Sequence, residues 1–448
     1  RILFSSIIII SFLIFAGFYY TNVFSGDEGK DFFIKKSSSY PQLSLQYNEN
    51  IQKDFVIGAI LPFSGSFSSL GKSIKVALEK AEFDVNKHFE EMNSSSHFNL
   101  LMANSQTNPE ETLVAAKKLH EHGANIIVGP SIGSTVLAAK EYADANNITL
   151  ISYSSTSSSL SIEGDNLFRL VPDDTYQGKI VAERMIKDGI KVIVPIWRGG
   201  LYSNDLYKST KYYFEKLGGE VEEGINYKPY TGKFATSLHR INFLMWNQEL
   251  EKLNAIVADA IKKYGANSVG VYVISFDEIT PILIQSTLYE NLGKVRWYGS
   301  DKIAQNHQIT KNIDAALFAM KTHLSNPLYS IDSESKNLHD LKELLEKQLH
   351  EVGSITYSAL AYDSYWIAAL SLDKNNTTYN NSNNENLTKK SFKEIIPETA
   401  ESFDDGISGK IKLNKAGDRL DGNYDFWIVA KDNDTQSYEW KKEQQILE

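Results

Sequence analysis

Short apolar runs alternate with stretches of helical periodicity along most of the chain. The run FVIGAIL opens this part, and residues 70–89 follow with apolar side chains three and four positions apart, as on one face of a helix. The runs FNLLMAN, NIIVG and ITLIS come next, separated by two further helical stretches. The first of these begins at Asn108-Pro109, an N-cap followed by proline at the first helical position. Repeated strand–helix units predict a parallel, doubly wound α/β sheet.

The same alternation starts again after FRLVPDD, with the strands KVIVPIW, EVEEGINY, SVGVYVIS and VRWYGSD. We therefore predict two α/β lobes. The first contains residues 54–172 and about 324–400, and the second contains residues 173–323 and about 401–448. The Asn-rich stretch at residues 373–390 is of low complexity and is expected to be a solvated loop.

The N-terminal 26 residues are expected to form a membrane anchor or a secretory signal. Residues 2–26 carry no charge, and nineteen of them would span roughly 29 Å as a helix, close to the hydrocarbon thickness of a bilayer. A cleaved signal is the alternative, but no small-x-small site follows the run, so we favour an uncleaved anchor. Residues 27–53 are polar and read as a linker.

Export would also make N-glycosylation possible. Seven N-x-S/T sequons are present, at Asn93, Asn147, Asn375, Asn376, Asn380, Asn386 and Asn433.

Composition excludes several classes of function. The 448 residues suffice for two domains, and the net charge of −10 gives no electrostatic support for nucleic-acid binding. There are no cysteines, which removes disulfides, thiolate metal sites and cysteine catalysis. We expect neither a cofactor nor a metal.

The segment GPSIG at residues 129–133 can be interpreted in two ways. As G-x-S-x-G between a strand and a helix, it matches the nucleophile elbow of a serine hydrolase. That reading also needs a loop histidine downstream and an oxyanion loop upstream, and the sequence offers neither in the usual form. As a strand end beside an open helix N-terminus, the segment could hold a ligand carboxylate instead. We favour the binding site and expect no enzyme.

A second polar turn supports the binding site. The strand ITLIS ends in YSSTSSSLS, so two adjacent parallel strands both finish in hydroxyl-rich turns. Ligands of open α/β sheets bind outside the carboxyl ends of strands. Ser134, Ser154 and Thr156 could there bind a carboxylate, although each could also simply cap the following helix.

Several segments occur in order that together resemble a known family: IGAILPFSGSFSSLGKSIKVALEKA, NPEETLVAAKKLHEHGANIIVGPSIGSTVLAAKEYA, NITLISYSSTSSSL and FRLVPDDTYQGKIVAERM. They are similar to the substrate-binding proteins of branched-chain amino-acid (Leu/Ile/Val) ABC transporters, which have the type I periplasmic-binding fold. The resemblance covers about residues 55–330 and, more weakly, the segment GKIKLNKAGDRLDG. It implies two doubly wound lobes, joined by a hinge of three crossovers, that close on a small ligand.

The resemblance also implies which residues bind. In the first lobe, the turns at residues 131–135 and 154–156 would hold the ligand's carboxylate, and Asp301 in the second lobe would meet its ammonium. Gly133 stands where the family has a serine, so either Ser134 replaces that serine or only the backbone N–H remains. The full set of expected ligand-binding residues is Leu70, Ser131, Gly133, Ser134, Ser154, Ser155, Thr156, Asp174, Tyr202, Phe276 and Asp301.

From these observations we expect a solute-binding protein, anchored at the cell membrane with its lobes outside the cytoplasm. It would capture an amino acid and pass it to ABC permease subunits. Two alternatives remain open: urea or a short-chain amide as the ligand, and a receptor ectodomain in which closure signals rather than delivers. Neither catalytic residues nor nucleic-acid contacts are expected.

Overall fold

The computed structural model describes residues 53–65, 67–228, 246–331, 335–349, 352, 354–380, 390–420 and 422–443. The expected anchor at residues 1–26 lies outside these ranges, as does the expected linker except for its last residue. Within these ranges, no helix is both long and apolar enough to cross a membrane.

The first lobe is built on a five-stranded parallel sheet in the order β2-β1-β3-β4-β5. Its strands are β1 (Lys53–Leu61), β2 (Ser96–Asn104), β3 (Ile126–Val128), β4 (Thr149–Ser152) and β5 (Leu167–Arg169). The helices α1 (Ser68–Glu91), α2 (Pro109–Glu121) and α3 (Gly133–Ala145) connect the strands. Asn108 caps α2 as expected, because its side-chain oxygen accepts the N–H groups of Glu110 and Glu111 at 2.8 and 3.1 Å.

Both faces of this sheet are covered, which explains why its strands read as continuous apolar runs. Ile57 and Ile126 are fully buried in one cluster with side chains of α1. Ile60 and Ile127 point the other way and are buried with side chains of α2 and α3. The predicted doubly wound arrangement is confirmed.

The second lobe repeats this architecture with a second parallel sheet in the order β10-β9-β6-β7, in which β8 also pairs with β6. Its strands are β6 (Val192–Arg198), β7 (Glu220–Val221), β8 (Ile225–Tyr227), β9 (Val269–Ile274) and β10 (Arg296–Tyr298). Its helices are α4 (Asp174–Lys187), α5 (Leu201–Lys216), α6 (Asn247–Tyr264), α7 (Ile279–Ser286), α8 (His307–Lys311) and α9 (Ile313–Lys321). The predicted strand EVEEGINY is thus two short strands.

The chain then returns to the first lobe and crosses back once more. The helices α10 (Lys336–Gln348), α11 (Ile355–Asn380) and α12 (Phe392–Glu401) belong to the first lobe, where α11 packs on α1. A small antiparallel sheet, formed by β11 (Asn326–Tyr329), β12 (Tyr424–Lys431) and β13 (Tyr438–Lys442), packs against the helices α8 and α9 of the second lobe. The chain therefore passes between the lobes three times: after β5, after β11 and before β12.

Two expectations about the C-terminal third need correction. The first concerns residues 373–390, expected to be a solvated loop, where α11 in fact continues to Asn380. Asp373 accepts a hydrogen bond from Ser96 Oγ at 2.6 Å, and Asn375 is only 7% exposed. Packing against the first lobe thus overrides the low-complexity composition, and the sequon at Asn375 is buried.

The second correction concerns the segment at residues 402–420, which we had assigned to the second lobe with the rest of residues 401–448. The Asp363 carboxylate of α11 accepts the N–H groups of Ile407 and Ser408 at 3.0 and 2.9 Å. Asp418 pairs with Arg169 at the end of β5. These buried contacts hold residues 402–420 on the first lobe. Of the described part of residues 401–448, the strands β12 and β13 are what lies with the second lobe.

Candidate functional site

The two hydroxyl-rich turns of the first lobe lie side by side, because β3 and β4 are neighbours in a parallel sheet. Ser154 Oγ donates to the carbonyl of Ser131 at 2.6 Å and joins the turns directly. The Ser131 hydroxyl lies 2.5 Å from the hydroxyl of Tyr153, and both residues are buried. Burial raises the pKa of Tyr153 far above its ordinary value. Ser131 therefore has a structural partner, and this pairing gives no support to a hydrolase elbow.

Gly133 begins helix α3 and has no room for a side chain. A Cβ atom there would lie 2.2 Å from Ser157 Oγ and 3.4 Å from a methyl group of Leu201. Ser157 thus fills the space in which a serine at position 133 would place its side chain. Ser134, the proposed replacement, is half-buried in the first turn of the helix.

The second turn contains hydroxyl groups that are buried and unpartnered. Ser155 Oγ and Thr156 Oγ1 make no hydrogen bond of ordinary geometry with the described residues, although both residues are only 1% exposed. The Thr156 hydroxyl does lie near enough to the Asp174 carboxylate to lower the pKa of that group. The Thr156 carbonyl accepts the N–H of Asp174 at 2.7 Å, which brings the first turn of α4 against it. Because buried polar atoms in proteins are usually hydrogen-bonded, these hydroxyls point to a ligand or water.

A buried ion pair holds this second turn from behind. Arg169 Nε lies 2.5 Å from Asp418 Oδ1, and the two side chains are 0% and 1% exposed. The same guanidinium donates to the carbonyls of Ser157 and Ser155 at 2.7 and 3.4 Å. Asp418 comes from the segment at residues 402–420, so the third crossover contributes directly to the shape of the site.

On the second lobe, the Asp301 carboxylate lies at the centre of a dense cluster. It accepts hydrogen bonds from Tyr202 OH at 2.6 Å, from Lys302 Nζ at 2.8 Å and from Tyr357 OH. Burial would raise the pKa of Asp301, but the charge of Lys302 and these hydrogen bonds outweigh burial and hold the pKa below its ordinary value. Asp301 is therefore ionised and already paired.

Asp174 has the opposite environment. It is fully buried at the start of α4, its Oδ1 atom accepts one hydrogen bond from Gln177 at 3.3 Å, and its Oδ2 atom has no partner in the described part of the chain. Burial, and then the like charge of Asp301, raise the pKa of Asp174 well above its ordinary value. The amide of Gln177 links the Asp174 carboxylate to the backbone of Asp301, since its oxygen accepts the Asp301 N–H at 3.0 Å.

Aromatic side chains close one side of the cluster. The ring of Phe276 stacks on that of Tyr202, with centroids 5.6 Å apart, and contacts Phe67 of the first lobe at 5.4 Å. The Arg198 guanidinium lies 4.7 Å from the Phe276 centroid and pairs with Glu278 at 3.0 Å. A pocket of about 30 Å³ lies between the lobes, lined among others by Phe67, Leu70, Asp301, Lys302, Ser354 and Tyr357. The lobes thus meet around a pocket with space for one or two waters.

The structure brings most of the expected site residues together. Between the lobes, the Ser154 carbonyl accepts from Lys302 and the Thr156 carbonyl accepts from Asp174. Tyr202 joins Asp301 within the second lobe, Leu70 lines the pocket beside them, and Phe276 stacks on Tyr202. The remaining expected residues lie in the two hydroxyl-rich turns: Ser131, Gly133, Ser134 and Ser155. Of these, Ser131 bonds to Tyr153, and Gly133 packs closely against Ser157.

Four further residues belong to this cluster and are not predicted from the sequence: Phe67, Gln177, Lys302 and Tyr357. Lys302 directly follows Asp301, so its position was visible, but a lysine beside an aspartate is usually a solvated neighbour. Gln177 is one helical turn after Asp174, a spacing that does place two side chains on one face. Nothing in the sequence brings Tyr357 of α11 to the second lobe. No group of acidic or histidine side chains in the described ranges could hold a metal ion.

The chain belongs to a family of ligand-binding domains. The model of the receptor family ligand binding region matches residues 73–432. An uncharacterized protein of Methanocaldococcus jannaschii is 25% identical over 397 residues, which cover 86% of this chain and 88% of the relative. Subunit 1 of the mouse γ-aminobutyric acid type B receptor is 23% identical over 396 residues, 81% of this chain but 38% of the receptor.

Solved structures show the same fold. The branched-chain amino-acid transporter substrate-binding protein of Streptococcus pneumoniae, in complex with isoleucine, has a TM-score of 0.62 at 18% identity, over 87% of this chain and all of that one. The protein therefore has the type I periplasmic-binding fold that its sequence resembles. The family and these neighbours are ligand-binding proteins and not enzymes.

Proposed function

We propose that the protein is a solute-binding protein which closes its lobes on an amino acid and delivers it to an ABC permease. One observation carries the proposal: Thr156 Oγ1 and Asp174 Oδ2 are both buried at the lobe junction, the Thr156 hydroxyl is close enough to act on the Asp174 carboxylate, and neither atom makes a hydrogen bond of ordinary geometry with the described chain. A hydroxyl oxygen and a carboxylate oxygen can both accept hydrogen bonds from a ligand ammonium. Such bonds are stronger than those from a neutral donor, because the donor is ionised. The isoleucine complex of the S. pneumoniae protein supports an amino acid as the class of ligand.

Binding would gain its strength from closure. Asp174 and Thr156 belong to the elements at the first crossover, while Tyr202 and Phe276 come from the second lobe, so only the closed form presents all of them to one molecule. Excluding water from such a site strengthens each polar contact. The carboxylate of the ligand would be held by the hydroxyl-rich turns, beside the start of α3.

The test is a thermal-shift screen of the full chain against amino acids, urea and short-chain amides. A ligand that binds only the folded state raises the melting temperature. We expect at least one amino acid to do so, and Thr156→Ala to abolish its effect, because this hydroxyl is one of the two buried oxygens proposed to receive the ligand's ammonium. Thr287→Ala, at an exposed threonine just after α7, is the matched control and should keep the shift. A shift by urea or an amide alone would favour the alternative ligands.

A receptor role remains the second candidate, and the similarity to the γ-aminobutyric acid receptor subunit over 81% of this chain favours it. In that case, closure of the lobes on the ligand would act as a signal to a partner protein, and the ligand would not be passed to a permease. Radiolabelled uptake distinguishes the two roles: cells that lack the protein lose uptake of the bound solute if it delivers, and retain uptake if it signals.

We also propose that residues 1–26 anchor the lobes outside the cytoplasm. The uncharged apolar run motivates this proposal. Protease added to intact cells should digest the lobes. Protection from protease until the cells are lysed would contradict it.

A further inference from the structure

Lys302 uses its whole hydrogen-bonding capacity inside the cleft. Its ammonium donates to Asp301 Oδ2, to the carbonyl of Ser154 and to Tyr357 OH, each at 2.8 Å. An ammonium has three donors, so none is left over. The side chain is 1% exposed, and its nitrogen lies 4.3 Å from the Tyr357 ring centroid. Lys302 is therefore a buried cation that joins the second lobe to both the hydroxyl-rich turn and α11.

The groups around Lys302 leave one carboxyl group without a cation. Arg169 and Asp418 pair with each other behind the turn. In front of the turn are two buried carboxyl groups, Asp174 and Asp301, and one cation, Lys302. Of the two carboxyl groups, only that of Asp301 accepts a hydrogen bond from Lys302. Placing a second cation against Lys302 would be opposed by charge repulsion in a site from which water is largely excluded.

We propose that Lys302 is a tethered cation that occupies the Asp301 subsite and so sets the charge of the ligand. Asp174 is the one carboxylate left to receive an ammonium, and a ligand with a second cationic group is rejected. This inference rests on the proposed function and narrows its ligand class to amino acids with a single cationic group.

Two single substitutions should change the preference in opposite directions. In Lys302→Met, a neutral side chain of similar length leaves Asp301 unpaired, so a second ammonium finds a partner there. In Asp301→Asn, the lysine loses its counter-charge, so an additional carboxylate is attracted instead. The double variant, Asp301→Asn with Lys302→Met, removes both charges and should restore the preference of the wild type.

The experiment measures the binding of leucine, ornithine and glutamate to the full chain by isothermal titration. We expect the wild type to bind leucine and to discriminate against ornithine. In Lys302→Met the ratio of the ornithine to the leucine dissociation constant should fall at least tenfold, and in Asp301→Asn the ratio for glutamate should fall similarly. Lys294→Met, at a half-exposed lysine paired with Glu290, is the control and should leave both ratios unchanged.

The outcomes separate this inference from the function on which it rests. If the wild type binds leucine and Lys302→Met retains its ratio, Lys302 does not set ligand charge, although the proposed function stands. If none of the three binds to the wild type or to any variant, both proposals fail. Should a single variant not fold, the double variant decides, because it removes Asp301 and Lys302 together and so leaves neither of these two charges without its partner. A double variant that strongly prefers either charged ligand would overturn the inference.

Discussion

The buried pair of Arg169 and Asp418 offers a quantitative test of how the third crossover supports the site. Asp418→Ala removes a carboxylate that is 1% exposed and lies 2.5 Å from the guanidinium, and it also removes the acceptor of the Ser161 hydroxyl at 2.5 Å. The guanidinium is then buried without its counter-charge. Breaking one partner of such a pair costs about 3–5 kcal/mol in stability, because the remaining charge is uncompensated. We expect a loss of this size.

The assay is equilibrium unfolding in urea, extrapolated to water, for the wild type and three variants. The variants are Asp418→Ala, Arg169→Met, and the double variant Arg169→Met with Asp418→Leu. A neutral, apolar pair of similar volume buries no unpaired charge, so the double variant should be more stable than either single one. Ligand affinity should fall in Arg169→Met, because the carbonyls of Ser155 and Ser157 lose their donor.

Two results would contradict the description of Arg169 and Asp418 as a buried, mutually stabilising pair. The first is a loss below about 1 kcal/mol for Asp418→Ala, which is the range of exposed ion pairs and would mean that water reaches the pair. The second is a double variant that is no more stable than either single variant, which would mean that a buried charge without its partner is not the source of the loss.

Three further predictions concern single positions. Gly133→Ser should destabilise the protein by about 1–3 kcal/mol through overpacking against Ser157, as measured by urea unfolding, and Ser157→Gly should rescue it; no rescue would contradict the contact. Burial, and then the charge of Glu278, raise the pKa of Asp277 to about 7. Between about pH 4 and 7 the folded protein still holds this proton, whereas the unfolded chain has released it, so the stability of the wild type should fall as pH rises through this range. Melting curves of Asp277→Asn should lack that component, and an unchanged pH profile would disprove it. An ammonium bound at Asp174 should lower its raised pKa and release a proton, measured by calorimetry in buffers of different ionisation enthalpy; release that persists in Asp174→Asn would exclude this carboxylate as the source.

Local patterns predicted those parts of the fold that local interactions determine. The buried strands, the cap at Asn108 and the two-lobe alternation follow from periodicity and capping, which neighbouring residues decide. The helical end of α11 does not follow, because Asp373 and Asn375 are polar residues in a low-complexity stretch, held by contacts far away in sequence. The position of residues 402–420 depends in the same way on Asp363, about 45 residues upstream.

The candidate site shows the same division. Strand ends in a parallel sheet meet at one edge, so Ser154 and Thr156 could be placed from the sequence, and the resemblance supplied Asp174, Tyr202 and Asp301. Two of the three partners of Asp301, Lys302 and Tyr357, could not be predicted in this way. Tyr357 reaches it from α11, 56 residues away, and the direction of the Lys302 side chain depends on the Ser154 carbonyl across the cleft. As a result, the carboxylate expected to meet the ligand's ammonium is the one that the protein itself neutralises.

The most direct test is a crystal structure of the full chain with the amino acid that gives the largest thermal shift. The central prediction is one molecule between the lobes, with its ammonium within hydrogen-bond distance of Thr156 Oγ1 and Asp174 Oδ2, and with Lys302 still bound to Asp301. Density for the solute on any other surface, with both of those oxygens still unpartnered, would contradict it.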